Sequence, residues 1–382
     1  MCISYALIYV RILFEGVNTM KILAAFDSFK ESMSAKEAGE AVQKATNHEV
    51  IIKPLADGGE GTMEVMNEFL KGEVHELEVA GPLFRTVKAK IAIVDDLAII
   101  ESAQACGLDY LKEEEKNGTE TTSYGVGEMM KYAYDQGVRH FLITLGGTSC
   151  NDGGIGLLSG MGYGFFDQFD QRVPMNAKGL ETLDRIREPR LDLNDITVEG
   201  ASDVTNPLCG EMGATYVFGP QKKVKDLEKT DQAMKHYASL MSTLIGRDDT
   251  KVPGAGAAGG MGYAIISGFN GKLITGFEAV SRTVHLEEAI KAADIIFTGE
   301  GKMDGQTLYG KTPMGVLNLA KKYHKKVIAF CGKCEDKKEL IQAGFDDVRC
   351  INHTDEPLNI LLEKGPEYLE KEVRSYLEEN HV

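Results

Sequence analysis

The sequence predicts an α/β protein: both chain ends build one doubly wound parallel sheet, and a second α/β domain is inserted between them. Three observations carry this. Short apolar runs alternate with amphipathic helical segments near the N-terminus. The same alternation returns at the C-terminal end. A glycine-dense middle with a different rhythm separates the two. With 382 residues, 43% of them hydrophobic, the chain can bury two cores.

Residues 20–26 read as a first strand. The segment 34–45 reads as a helix, with Ser34 as N-cap and Glu37 at the capping-box position. Residues 49–56 form a second strand and 62–70 a second helix. Strand–helix–strand in so short a length implies a parallel crossover. In the middle, 87–94 and 98–103 are neighbouring strands joined by Asp95 and Asp96, 127–136 is a helix, and 139–145 and 198–201 are strands. Towards the C-terminus, strands at 294–298, 326–331 and 346–352 alternate with helices at 315–323, 337–343 and 367–379. The expected domains are 20–80 with 286–382, and an insert over 81–285. Residues 1–19 read as an upstream extension and Met20 as the functional start. Arg11 interrupts their apolar run, and no small-residue cleavage site follows.

A net charge of −16 argues against a nucleic-acid partner, which requires a basic footprint. An anionic substrate then needs local lysines or helix N-termini. The seven cysteines are scattered, which points to reduced thiols in the cytoplasm. No apolar run reaches the roughly 18 residues of a membrane span. The acidic stretch 113–115 and the tract 222–235 read as solvated surface. A homo-oligomer is left open by the sequence.

In open α/β sheets, ligands bind outside the carboxyl ends of the strands. Five predicted strand ends carry an acid: Asp27, Asp57, Asp152, Asp203 and Glu300. Three of these sit in glycine turns: ADGGEG (56–61), GGTSCNDGG (146–154) and GEGKMDG (299–305). Glycine lets backbone approach a phosphate, and exposed N–H groups form anion nests. Carboxylates cannot hold phosphate; they hold Mg²⁺ or accept a hydroxyl proton, the needs of phosphoryl transfer. A single Asp-Gly-Gly is ordinarily just a turn, so the argument rests on the set. The run GAGAAGGMG (254–262) is equally a phosphate loop or a close-packing segment.

GQTLYGKT (305–312) fits the Walker A pattern at every fixed position. Six residues separate it from the expected strand end at 298, where a true P-loop follows its strand directly, and no Walker B strand is evident. Lys311 is therefore expected to meet phosphate through a different geometry, at a helix start marked by Pro313. Cys331 and Cys334 form a C-x-x-C after a strand, open to a redox reading, but no second ligand pair completes a zinc site.

Taken together, nine ordered stretches resemble the bacterial glycerate kinases of the glyoxylate- and galactarate-pathway type. They are FDSFKESMSA (26–35), PLADGGEGT (54–62), GPL (81–83), TTSYGVGE (121–128), LGGTSCNDGG (145–154), ASDVTNPLCG (201–210), FGPQK (218–222), PGAGAAGGMG (253–262) and TGEGKMDGQTLYGKTPMGV (298–316). The resemblance runs from residue 20 to about 377. It implies a flavodoxin-like domain from both chain ends with an inserted α/β domain, the active site in the cleft between them. It also implies ATP- and Mg²⁺-dependent phosphorylation of D-glycerate, with 2-phosphoglycerate as the favoured product. The chain departs from the family in TSCND, where S-A-T-N-D is more usual, in Cys331 and Cys334, and in residues 1–19.

On this reading Asp203 is the expected base, with Asp152 second. Asp57, Glu60, Glu300 and Asp304 are the candidates to hold Mg²⁺. Gly58, Gly59, Gly299 and Gly301 give backbone approach to phosphates, and Lys30 and Lys311 neutralise phosphate or the glycerate carboxylate. Two other classes compete: a P-loop NTPase built on Lys311, and a thiol sensor built on Cys331 and Cys334.

Overall fold

The computed structural model describes residues 19–381 except Glu60, Gln306, Gly310, Thr354 and Asp355. The strands, in chain order, are β1 (Lys21–Phe26), β2 (Glu49–Ile52), β3 (Glu73–Ala80), β4 (Thr86–Val94), β5 (Leu97–Glu101), β6 (His140–Thr144), β7 (Gly164–Phe166), β8 (Arg185–Arg187), β9 (Thr197–Ala201), β10 (Lys272–Ile274), β11 (Ile295–Met303), β12 (Lys326–Cys334) and β13 (Asp347–Cys350). They divide between two compact units. One comprises the described residues up to Leu55 and from Val284 onward; the other is Ala56–Thr283.

The first unit holds a five-stranded, all-parallel sheet in the order β13-β12-β11-β1-β2. Numbered within the unit, this is the flavodoxin-like order 2-1-3-4-5, whose direction reverses between β1 and β11. β1 is buried from Ile22 to Phe26, as expected of a strand covered on both faces. On one face Phe26, Phe297, Phe330 and Tyr376 form an aromatic cluster, with Phe297 and Phe330 at 5.2 Å. The helices Ala35–Ala45 and Gly365–Glu379 close that face. The capping box is present: Glu37 N–H donates to Ser34 Oγ at 3.2 Å, and Ser34 N–H donates to Glu37 Oε2 at 2.8 Å. β2 ends at Ile52, sooner than expected. The amides of Lys53 and Leu55 still bond Ala24 and Phe26.

The second unit holds a mixed six-stranded sheet, β10-β9-β6-β5-β4-β3. Its first four strands are parallel, and β5, β4 and β3 form an antiparallel meander. The strand β3 has no counterpart in the sequence reading. It pairs with β4 from Glu73↔Ile93 to Ala80↔Thr86 through a tight turn. The helix Thr62–Leu70 belongs here too, since Met63 N–H donates to the buried Glu101 carboxylate at the end of β5. Both elements move the boundary from the expected 80/81 to 55/56.

Replacing Ser34 with Ala removes one side of the capping box and should cost about 1 kcal/mol. Urea unfolding of the two proteins measures it.

Candidate active site

At the reversal point of the first unit, β1 and β11 run parallel with Phe26 opposite Gly299. The next residues, Asp27 and Glu300, stand side by side, and Asp27 N–H continues the ladder to Gly299 O at 3.0 Å. Alternation along the strands puts Asp27, Thr298 and Glu300 on one face. The helix Thr312–Lys321 starts there. Its first hydroxyl, Thr312 Oγ1, donates to Asp27 Oδ2 at 2.5 Å. Lys311 Nζ donates to Glu300 Oε2 at 3.0 Å, and Thr307 Oγ1 to Oε1 at 2.9 Å.

These contacts correct two arguments made from sequence. β11 extends to Met303, so only Asp304 separates it from Gly305. An acid-ended parallel strand, β1, does lie beside Thr312. The stretch between is still not a phosphate loop, because a 3-10 turn occupies Thr307–Tyr309. The glycines also differ from expectation. A side chain at Gly299 would overlap the Phe330 carbonyl, so this glycine serves the β11–β12 pairing. Gly301 lies against the Phe29–Lys30 turn, 3.4 Å from Lys30 N to where a Cβ would stand. Lys30 itself is exposed. Asp304 is held by Lys302 at 3.0 Å.

In the second unit the loop carrying Asp57, Gly58 and Gly59 packs against the start of the helix Gly276–Thr283. Gly58 has φ +87°, and a Cβ there would come within 2.7 Å of Gly276 Cα. Gly146, just after β6, stands beside Gly59. Asp203, just after β9, accepts the Gly276 N–H at 3.1 Å through Oδ1. Desolvation pushes the Asp203 carboxyl up to about 6; the Gly276 bond opposes the shift, and the Asp57 charge adds to it. A carboxyl so placed titrates near the working range of a general base.

Asp152 does not join Asp203. It is fully buried, with Oδ2 accepting from Ser123 N–H and Oγ, both at 2.8 Å, and Oδ1 from Gly154 N–H at 3.0 Å. Its role is to tie the 146–154 loop to the helix Tyr124–Asp135 that follows Ser123. The glycines of 254–262 are committed to packing as well. Ala258, Gly259 and Gly260 are left-handed within the helical run Ala257–Phe269, and a Cβ on Gly259 would overlap the Cys150 carbonyl. Lys222, expected at the surface, is buried, donating to Cys150 O at 2.7 Å and Thr148 Oγ1 at 3.2 Å. Burial lowers its pKa. Gly276 lies in no motif and Thr312 is only the last fixed position of the Walker pattern, so neither was among the site residues expected from sequence.

Among the described residues, no three His, Cys, Asp or Glu side chains converge to hold a metal. Asp57 lies in the second unit, Glu300 and Asp304 in the first, and Glu60 lies outside the described residues. Cys331 is buried, and its thiol is pushed well above the usual range by desolvation first. That removes the thiolate a redox sensor needs. No described helix is long and apolar enough to cross a membrane.

Carboxylates and a lysine beside a helix start, with a raised carboxyl at Asp203, suit a phosphotransferase, and the comparisons show that class. The glycerate kinase family model matches residues 22–379, and the chain belongs to that family. It is 39% identical over 341 residues to glycerate 2-kinase of Escherichia coli K12, covering 86% of this chain and 90% of that one. It is 37% identical over 372 residues to glycerate kinase of Halalkalibacterium halodurans, covering 93% and 96%. A crystal structure assigned to glycerate kinase 2 of Salmonella typhimurium LT2 superposes with a TM-score of 0.86 at 38% identity, covering 95% and 99%.

Asp152→Asn leaves a buried N–H donor without its acceptor and should cost about 1–3 kcal/mol. Thermal unfolding should show the loss, with turnover per folded molecule nearly unchanged.

Proposed function

We propose that this chain transfers the terminal phosphoryl group of ATP to a hydroxyl of D-glycerate, with the 2-hydroxyl favoured. The observation that carries the reading is Asp203: a carboxyl at a strand end, fixed by the Gly276 N–H and raised to about 6. Above that pH it is ionised and can take the proton as the alcohol oxygen forms its bond to phosphorus. Asp57, exposed beside it, keeps its affinity for that proton high.

Phosphoryl transfer is mostly positioning and charge stabilisation. In the first unit Lys311, held by Glu300, and the exposed Lys30 supply positive charge for phosphate oxygens. Gly58 is given over to its contact with Gly276, which leaves Gly59 in the second unit and Gly301 in the first as the glycines for phosphate approach. Thr298 Oγ1 is fully buried without a partner among the described residues, on the same face as Asp27 and Glu300. Mg²⁺ commonly takes one or two carboxylates and completes its shell with water and phosphate oxygens, so a three-carboxylate cage is not required. When bound, it supplies neutralisation of the phosphate charge. The free thiols support a cytoplasmic setting.

An assay of ATP, Mg²⁺ and D-glycerate coupled to enolase tests the reading. Signal without phosphoglycerate mutase is expected; signal only with mutase would move the acceptor to the 3-hydroxyl. No ADP formation with any glycerate concentration would reject the function. Asp203→Asn should lower turnover about 100-fold or more, and unchanged turnover in the folded variant would remove Asp203 from the role.

A further inference from the structure

From sequence, Asp57, Glu60, Glu300 and Asp304 are the metal candidates, while Asp27 is only one of the acidic strand ends and Thr312 only the last fixed position of the Walker pattern. The structure favours Asp27 and Thr312. Asp27 ends β1 at the sheet's reversal point, where ligands of open α/β sheets bind. Thr312 opens a ten-residue helix whose start has no side-chain cap among the described residues, with Pro313 in its first turn. The Thr312 hydroxyl and the Asp27 carboxylate are joined at 2.5 Å, and Lys311 is the adjacent residue. Thr298 supplies an independent sign of a polar ligand: its hydroxyl is fully buried, unpartnered among the described residues, and on the same face. Asp304, by contrast, is taken by Lys302, which also binds Glu335.

A hydroxyl at a helix start, a carboxylate ending the neighbouring parallel strand and a lysine beside the hydroxyl are the groups that hold a magnesium-bound phosphate chain in P-loop proteins. Here they stand on a flavodoxin-like sheet, and a 3-10 turn replaces the phosphate loop. Resting on the kinase reading above, we propose that Asp27 and Thr312 form the divalent-cation cradle of the nucleotide site. Lys311 faces the phosphates and Glu300 holds Lys311 in position. The cradle is selective for the metal–nucleotide complex, because the hydroxyl–carboxylate pair offers oxygens to the cation and nothing to the base or sugar.

Calorimetric titration of the full chain with ADP, once with Mn²⁺ and once in EDTA, tests this. Thr312→Val keeps the shape of the side chain and removes the hydroxyl. It should weaken Mn²⁺–ADP binding at least about 10-fold while changing metal-free ADP binding less than about 2-fold. Thr312→Ser should restore the wild-type value, and Asp27→Asn should repeat the Thr312→Val pattern. Unchanged Mn²⁺–ADP affinity in Thr312→Val, or equal losses with and without metal, would overturn the cradle and leave the kinase reading standing. A wild-type chain that binds ADP in neither condition and turns over no ATP would overturn both.

Discussion

The first unit's chemistry depends on the parallel pairing of β1 with β11. These strands are remote in sequence: Lys21 N–H bonds the Asp294 side chain across 273 residues. The register from Ile22↔Ile295 to Phe26↔Gly299 leaves no choice about what comes next. Asp27 and Glu300 must lie side by side, on the face where Thr312 and Lys311 begin their helix. A one-residue slip between the strands would put the two carboxylates on opposite faces of the sheet. Gly299 secures the register from the other side, since any side chain there would strike the β12 backbone. The glycine that reads as a phosphate contact thus works one step back, by fixing where the carboxylates stand.

The second unit reaches the same end by backbone contact. Asp57, Gly58 and Gly276 meet at distances that leave no room for a Cβ, and the contact brings the Gly276 N–H to Asp203. Around the 146–154 loop, Asp152, Lys222 and the left-handed turn at 258–260 form a polar and glycine-packed core. Buried ionic groups such as these are costly to desolvate, and each is matched by two or more hydrogen-bond partners.

Much of this was legible in the sequence. Apolar runs and the Ser34–Glu37 capping box located the first unit's elements, because local patterns decide them. Of the acidic strand ends, Asp27 and Asp203 do follow their strands, whereas Glu300 lies within β11. What escaped was set by long-range contact. Whether Asp152 faces solvent or Ser123 depends on a segment far away in the chain, and nothing beside it marks the difference. The strand end at Met303 was missed because glycines at 299 and 301 mimic a loop, while pairing with β12 keeps them extended. The alternating run at 73–80 was legible in principle, and its omission placed the domain boundary too late. Thr312 closes the Walker pattern in sequence, but its partner Asp27 is brought to it only by the sheet order.

The most direct test of the account is the pH dependence of kcat/KM, which reports the free enzyme's groups. If Asp203 is the base, activity rises with pH through a limb near 6. Asp57→Asn removes a like charge, so the same limb should move to lower pH. The limb should disappear in Asp203→Asn. A limb that stays in place in both variants, with the proteins folded, would contradict the assignment of proton transfer to Asp203.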